Sequence, residues 1–258
     1  MVIRDTAWPE GTPCWVDLGV DDVSKAIEYY SAQFGWDVRV GGPEVGGYSV
    51  ATVDGRQVAG IGPKMGERQP TVWTTYLAAD NADDVAARVT AAGGQVVMEP
   101  MDVMELGRMA VAADPAGGVF GIWQARQHTG AQLANVPGAV AWNEHMSHDF
   151  EGSKRFYAAV FGYEYEDMSN GDFAYATLRL GGQPAGGIGA YPRGVPNAIP
   201  GSWTVYFATA DTDATVATAT RLGARVEHEP VDTPFGRMAM VADDQGARYS
   251  LMSMPAGR

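Results

Sequence analysis

The stretch that decides the fold is Trp15-Val-Asp-Leu-Gly-Val-Asp-Asp22, which leads through an amphipathic segment to Phe34-Gly35-Trp36. A second stretch, Trp142-Asn-Glu-His-Met-Ser-His-Asp149, leads in the same way to Phe161-Gly162-Tyr163. The offset between the two stretches is 127 residues (142 minus 15), and it holds without a gap as far as the Phe-Gly pair. Self-similarity at a fixed offset indicates an internal duplication, so the chain is predicted to contain two tandem copies of one unit.

Further matches extend the duplication over most of the chain. They pair Ala59-Gly-Ile-Gly62 with Gly186-Gly-Ile-Gly189, Trp73-Thr-Thr-Tyr76 with Trp203-Thr-Val-Tyr206, and Gly107-Arg-Met-Ala110 with Gly236-Arg-Met-Ala239. Residues 127–138 have no sustained hydrophobic periodicity. We therefore predict two domains, residues 1–128 and 138–258, joined by a linker of residues 129–137. Each domain is expected to fold when it is expressed alone.

Each copy has the pattern of two smaller modules. In the first module, Cys14 to Val20 alternates between apolar and other residues, which is typical of a strand. Asp22 suits the N-cap of a following helix, and Gly35 suits its C-terminal end. Three short strands follow, and the same order begins again at Val72. The prediction is an α+β protein of four βαβββ modules.

The composition limits the partners that the protein can have. Hydrophobic residues make up 46% of the chain and charged residues 19%, which is typical of a globular protein. The formal net charge of −13 repels phosphate backbones and anionic lipid headgroups. Neither nucleic acid nor a membrane surface is therefore an expected partner, and the chain is expected to be a monomer or a homodimer that binds a small molecule.

The cysteine content and the amino terminus indicate a cytoplasmic location. Cys14 is the single cysteine, which rules out an intrachain disulfide framework and a cysteine-based zinc site. The first residues, MVIRDTAWPEG, lack the cationic flank and apolar run of a secretory signal. No apolar run approaches the ~20 residues that cross a bilayer. We therefore expect a soluble protein of a reducing compartment.

These motifs resemble the vicinal oxygen chelate superfamily, which includes glyoxalases, bleomycin-resistance proteins and extradiol dioxygenases. The resemblance lies in the strand–Asp–helix openings and in the closing stretches, which begin at Asp114-Pro-Ala-Gly-Gly and Asp243-Asp-Gln-Gly-Ala. The chain is most similar to a tandem actinobacterial glyoxalase-like subgroup that is often labelled hydroxylase. The resemblance implies that two modules pair into one eight-stranded, half-open bowl whose concave face holds the ligand. Two such bowls are expected.

The metal ligands that are usual in this superfamily are missing. Its metal-binding His lies seven residues before the Asp that starts the helix, which places Trp15, Trp73, Trp142 and Trp203 at the ligand positions. Its closing-strand Glu is replaced by Gly121 and Ser250. An indole has no free lone pair for coordination, so no metal and no other cofactor is expected, with a divalent metal as the alternative. A replacement metal site among His128, Glu144, His145, His148 and His228 is not expected, and with respect to metal binding these are interpreted as polar surface or strand-end residues.

Aromatic residues and one acid are predicted to line each bowl instead. Strand alternation places Trp15 with Asp17, and Trp142 with Glu144, on the face opposite the helices. Indole faces stack on planar ligands, and a carboxyl group buried between rings can act as a general acid or base. Asp17 and Glu144 are the candidate catalytic residues. The candidate ligand-binding residues are Trp15, Tyr48, Trp73, Arg108, Trp142, His148, Tyr175, Trp203 and Arg237.

Two structural interpretations compete with this site. Tryptophan and tyrosine at strand spacing also occur as core packing, and the two acids can form ion pairs with Arg108 and Arg237.

Three functions remain open on the sequence alone. The protein is a metal-independent enzyme for isomerisation, cyclisation or hydroxylation of a partly aromatic metabolite, a protein that sequesters a drug, or a metal-dependent lyase or dioxygenase. The sequence does not decide whether the chain is an enzyme.

Overall fold

The computed structural model describes residues 1–66, 69–171 and 173–253. The last five residues of the second predicted domain, 254–258, lie outside the described residues. The structure contains four βαβββ modules, as predicted, and two additional short strands.

The elements of the first copy are as follows. Strand β1 (Val2–Ile3) precedes the first module, which consists of β2 (Pro13–Val20), α1 (Val23–Phe34), β3 (Asp37–Arg39), β4 (Ser49–Val53) and β5 (Arg56–Pro63), with a 3-10 turn at Pro43–Val45. The second module consists of β6 (Val72–Ala78), α2 (Ala82–Ala91), β7 (Gln95–Val103), β8 (Gly107–Ala113) and β9 (Val119–Ala125).

The second copy repeats this order after β10 (Leu133–Ala134). The third module consists of β11 (Val140–Ser147), α3 (Phe150–Phe161), β12 (Glu164–Asp167), β13 (Tyr175–Leu180) and β14 (Gln183–Ala190). The fourth module consists of β15 (Ser202–Ala208), α4 (Thr212–Arg221), β16 (Arg225–Thr233), β17 (Gly236–Ala242) and β18 (Arg248–Ser253).

The helix ends follow from local chemistry. Asp22 caps α1 by accepting a hydrogen bond from the Lys25 amide, and Asp149 caps α3 by accepting one from the Gly152 amide. Gly35 and Gly162 end these helices at φ values of 71° and 72°, which glycine adopts without a steric penalty. The helix start and stop signals of the two stretches are therefore confirmed.

Each copy forms one open eight-stranded sheet. The strand order is β3-β4-β5-β2-β6-β9-β8-β7 in the first copy and β12-β13-β14-β11-β15-β18-β17-β16 in the second. The first strands of the two modules, β2 with β6 and β11 with β15, pair antiparallel at the centre. Two modules therefore pair into one half-open bowl in each copy, as expected.

The helices and the convex faces of the two sheets pack together, so the large cores are shared between the copies. One core joins Val16, Leu18 and Tyr30 of the first module to Phe207 and Tyr249 of the fourth. A second core contains these residues of the second and third modules: Leu77, Val85, Phe120, Phe156, Tyr157 and Leu178. Modules thus pair within a copy to make a sheet and between copies to make a core.

Two buried hydrogen-bonded chains join the copies at these cores. Trp73 Nε1 donates to the Tyr30 hydroxyl (2.9 Å), which donates to Asp243 Oδ2 (2.8 Å). In the related position, Trp203 Nε1 donates to the Tyr157 hydroxyl (2.8 Å), which donates to Asp114 Oδ2 (2.9 Å). Each acid belongs to the copy opposite its tyrosine.

The segment predicted as a linker has structure of its own. Strand β10 pairs with β1, and Ala131 and Leu133 are buried. Among the residues that the structure describes, no helix is both long enough and apolar enough to cross a membrane.

Candidate functional site

Asp17 lies on the concave face of the first bowl within a hydrogen-bonded set of aromatic residues. The Tyr48 hydroxyl donates to Asp17 Oδ2 at 3.3 Å, and Trp15 Nε1 donates to the Tyr48 hydroxyl at 2.8 Å. The Tyr76 hydroxyl is a second hydrogen-bond partner of the Asp17 carboxyl group. The predicted neighbours Trp15, Asp17 and Tyr48 therefore come together.

Glu144 has the same surroundings in the second bowl. The Tyr206 hydroxyl donates to Glu144 Oε1 at 2.9 Å, and Trp142 Nε1 donates to the Tyr175 hydroxyl at 3.1 Å. The Tyr175 hydroxyl also hydrogen-bonds Glu144. Each acid thus lies in a hydrogen-bonded set of one carboxyl group, two phenols and one indole.

Glycines in the strand beneath make room for the tyrosine rings. A Cβ atom at Gly60 or Gly187 would overlap the hydroxyl of Tyr48 or Tyr175. A Cβ atom at Gly121 would overlap the ring of Tyr76 in the same way. The repeated Gly-Ile-Gly motif and the glycine at the closing-strand position therefore allow the rings to lie flat and reach the acid.

The surroundings of the acids raise their pKa values. Burial raises the pKa of Asp17 to about 7, against hydrogen bonds from Tyr76 and Tyr48 that lower it. Burial also raises the pKa of Glu144, against the hydrogen bonds from Tyr175 and Tyr206. An acid that titrates near neutrality can both accept and release a proton at physiological pH.

Trp73 and Trp203 do not face the bowls, so their predicted placement is wrong. Each packs in a shared core, 2% and 6% exposed. Trp73 pairs with Leu18 across the sheet and therefore shares its helix-packed face. The prediction counted back from Asp80, but Asn81 caps α2, so the position seven residues before the cap is Thr74.

The same correction applies to the second copy, where Asp211 caps α4 and the position seven residues before it is Thr204. Thr74 and Thr204 pair with Asp17 and Glu144, respectively, and share their face.

Arg108 and Arg237 do not contact the acids. Arg108 forms ion pairs with Asp83 and Asp102 at 2.7 and 3.1 Å. Arg237 forms ion pairs with Asp213 and Asp232. The alternative in which these arginines form ion pairs with Asp17 and Glu144 is therefore wrong, and the partners of the two acids are tyrosine hydroxyls.

The histidines differ in their surroundings. His148 is exposed at the end of β11, where its ring contacts Tyr191 and its Nε2 lies 3.0 Å from the Pro196 carbonyl oxygen. His145 is not a surface residue: it is fully buried, with Nε2 2.6 Å from Asp114 Oδ2 of the other copy. His128 packs its ring against Trp15 and Trp123, with centroid distances of 4.4 and 5.3 Å.

The sequence analysis missed Tyr76 and Tyr206, which complete the two sets. Both end the repeated Trp-x-x-Tyr motif, and the alternation of a strand places the tyrosine on the face opposite the tryptophan. That alternation was the signal that could have found them.

These donors do not fit a divalent metal held in the way this fold usually holds one. Each set offers one carboxyl group and two hydrogen-bonded phenols, and the closing-strand position is Gly121 or Ser250. Over residues 1–66, 69–171 and 173–253, no group of three or more His, Cys, Asp or Glu side chains can hold a metal ion.

The fold and the paired bowls define a class of protein. A sequence profile of the glyoxalase/bleomycin resistance protein/dioxygenase superfamily matches residues 14–122 and 144–251, and the chain belongs to that superfamily.

Relatives share its full tandem length. The chain is 38% identical to the anthracycline biosynthesis protein DnrV of Streptomyces peucetius over 267 residues, covering 98% of this chain and 96% of the relative. It is 40% identical to the glyoxylase-like CFP32 of Mycobacterium bovis over 257 residues, covering 96% and 97%.

A solved structure has the same architecture. The Mn(II)-bound glyoxalase of Novosphingobium aromaticivorans superposes with a TM-score of 0.66 at 20% identity, covering 95% of this chain and 82% of that one. At that identity the likeness concerns the fold.

Proposed function

We propose that the protein binds a planar, oxygenated aromatic metabolite on the concave face of a bowl and transfers a proton with the acid there. The observation that carries this proposal is the carboxyl group beside an indole and two phenols, with its pKa raised toward neutrality, in both copies. Among the residues that the structure describes, no arginine or lysine is a partner of either acid.

The chemistry of the wall indicates the class of ligand. Indole and phenol rings stack on flat aromatic systems, and the phenol hydroxyls can hydrogen-bond ketone, quinone or phenol oxygens. A relative that is 38% identical is named for anthracycline biosynthesis, which supports a polycyclic aromatic ligand. The net charge of −13 supports a small-molecule partner over nucleic acid or an anionic membrane.

The residues support a metal-independent reaction. Isomerisation and cyclisation can begin with the removal of a proton next to a carbonyl group, and a carboxylate whose pKa is raised by burial is suited to that step. The proton passes from the ligand carbon to Asp17 or Glu144 and returns to another carbon or to oxygen. The phenols hold the carboxyl oxygens in place.

The test uses α-tetralone, a bicyclic aryl ketone with exchangeable α-hydrogens. In deuterated water, the protein should accelerate deuterium incorporation at the α-carbon, measured by proton NMR. The double variant Asp17→Asn/Glu144→Gln should keep its affinity and lose on the order of 10² to 10⁴ in exchange rate. Binding without exchange in the wild type would favour sequestration, and the absence of both would contradict the proposal.

A further inference from the structure

The two bowls are related by sequence, but among the described residues they differ in what covers them. Residues 254–258, which follow β18 as residues 126–131 follow β9, lie outside the described residues. In the first bowl, residues 126–131, which we name the strap, fold back over the concave face. The His128 amide donates to the Leu106 carbonyl at 3.0 Å, and the Ala131 amide donates to the Cys14 carbonyl at 2.7 Å. The strap is therefore held at both ends by the rim of the bowl.

The strap places an aromatic ring against the wall of the first bowl. The His128 ring meets Trp15 at a centroid distance of 4.4 Å and an interplanar angle of 85°. Trp123 Nε1 donates to the His128 carbonyl oxygen at 2.9 Å. Burial lowers the pKa of His128 to about 4, so the ring is neutral at pH 7. A neutral imidazole thus occupies the space beside the indole.

Two aromatic side chains of the first bowl are less exposed than those at the equivalent positions in the second bowl. Trp15 and Tyr76 are only 5% and 6% exposed, and they form a small apolar cluster with Trp123 and Ala131. Their counterparts Trp142 and Tyr206 are half-buried. Within the described residues, neither of these two rings belongs to an apolar core cluster.

One ring of the second bowl is more covered than its counterpart. Tyr175 is 6% exposed because Phe173 stacks on it, with a centroid distance of 5.3 Å and an interplanar angle of 15°. Phe173 is itself 44% exposed, so the aromatic surface continues to the solvent. Within the described residues, the second bowl therefore presents a wall of rings that a flat molecule can reach.

We propose that the second bowl takes the ligand, on Trp142, Tyr175, Tyr206 and Glu144, and that His128 blocks the first bowl. This inference rests on the proposed function, because it assigns that function to one of two related sites. A chain with one open and one blocked site binds one ligand, and removal of the blocking ring creates a second site.

The experiment measures stoichiometry with quinizarin, a planar dihydroxyanthraquinone, by isothermal titration calorimetry on the full chain. The wild type should bind one molecule per chain, and His128→Ala should bind two. Trp142→Ala should weaken the wild-type site at least tenfold, and His128→Ala/Trp142→Ala should again bind one molecule. Gln127→Ala, an exposed position in the same strap, is the matched control and should behave as the wild type.

The outcomes separate the inference from the proposed function. No binding by the wild type or by His128→Ala overturns both. Binding that Trp142→Ala leaves unchanged overturns the choice of bowl, and a stoichiometry of one in a folded His128→Ala variant overturns the blocking role. In these two cases the proposed function stands. Circular dichroism establishes that each variant is folded.

Discussion

The two acids are the residues on which the proposed chemistry depends, and burial raises the pKa of each of them. Asp17 has phenols as its partners and lies on a half-buried face. Its pKa of about 7, against an ordinary value of 3.8, means that the folded protein binds this proton more tightly than the unfolded chain. This proton binding stabilises the folded state fully below the pKa that Asp17 has in the unfolded chain. The stabilisation is lost as the pH rises through the pKa that Asp17 has in the folded protein.

The variant Asp17→Asn tests this linkage. The free energy of unfolding of the wild type should fall, relative to the variant, by on the order of 1–3 kcal/mol between about pH 4 and pH 8, because the variant has no carboxyl group to ionise. Urea denaturation across that range measures the difference. Asp37→Asn, at an exposed strand position, is the control. It keeps Asp17, so its free energy of unfolding should change with pH in the same way as that of the wild type. Parallel curves for Asp17→Asn and the wild type would contradict the raised pKa.

The glycine beneath Tyr175 offers a second test at this scale. Gly187→Ala should displace Tyr175 and Trp142, because the new Cβ would contact both side chains. Loss of the Tyr175 hydrogen bond should raise the pKa of Glu144 further, since that bond lowers it. Carbon NMR on glutamate-labelled protein measures the titration. Gly66→Ala, with open space around its Cβ, should leave it unchanged, and an unchanged Glu144 in Gly187→Ala would contradict this role of the glycine.

The sequence predicted the face on which a side chain lies wherever alternation along a single strand was sufficient. Alternation along β2 and β11 was enough to place Trp15 with Asp17, and Trp142 with Glu144, on one face. It failed for Trp73 because the position depended on which of two adjacent residues, Asp80 or Asn81, caps the helix. A shift of one residue in a strand moves the side chain to the other face.

At the scale of elements, the hydrogen-bonded chains from Trp73 and Trp203 attach helices of one copy to the closing turns of the other. Asp114 has His145 as an additional partner at 2.6 Å, whereas the position related to His145 by the 127-residue offset is Leu18. The two junctions are therefore chemically different although the modules are related.

Two tyrosine variants test this difference. Tyr30→Phe leaves Trp73 Nε1 without its partner and removes a hydrogen bond to Asp243, so it should lower the free energy of unfolding by about 1–3 kcal/mol. Tyr157→Phe should cost less, because Asp114 keeps His145 Nε2 as a second close partner at 2.6 Å. Urea denaturation of both variants gives the comparison. A larger loss for Tyr157→Phe would show that His145 does not support the acid.

The strap could not be foreseen from the pattern of residues. Residues 127–138 lack periodicity, so nothing in the sequence distinguished His128 from a polar surface residue. Its contacts with Trp15 and Trp123 depend on the return of the chain over a bowl, which is a tertiary feature.

For the whole molecule, the pairing of modules into sheets was predictable and the pairing of sheets was not. An alternating strand shows that its apolar face is covered, but not by which copy. In the structure, the helices and the convex face of each copy pack against those of the other copy. That each copy folds alone stays a prediction, and the shared cores lead us to expect the opposite outcome.

Separate expression of residues 1–130 and 136–258 tests this. Each half alone should aggregate or associate, because it exposes apolar residues such as Tyr30 and Phe207 that are fully buried in the intact chain. Coexpression should yield a soluble one-to-one complex, detected by size-exclusion chromatography with light scattering. Two monomeric, well-dispersed halves by NMR would contradict the shared core and support independent domains.

The shared cores also constrain how the two copies can change over time. A substitution at Leu18 or Tyr30 alters the volume available to Phe207 and Tyr249 on the other copy, so a compensating change has to arise there. Among the described residues, no apolar core cluster joins the two concave faces, so a substitution on one of them requires no compensating change on the other. The sequences of the two bowls can therefore diverge, as the proposed blocked and open bowls do. Substitutions in the cores between the copies, in contrast, have to be matched across the two copies.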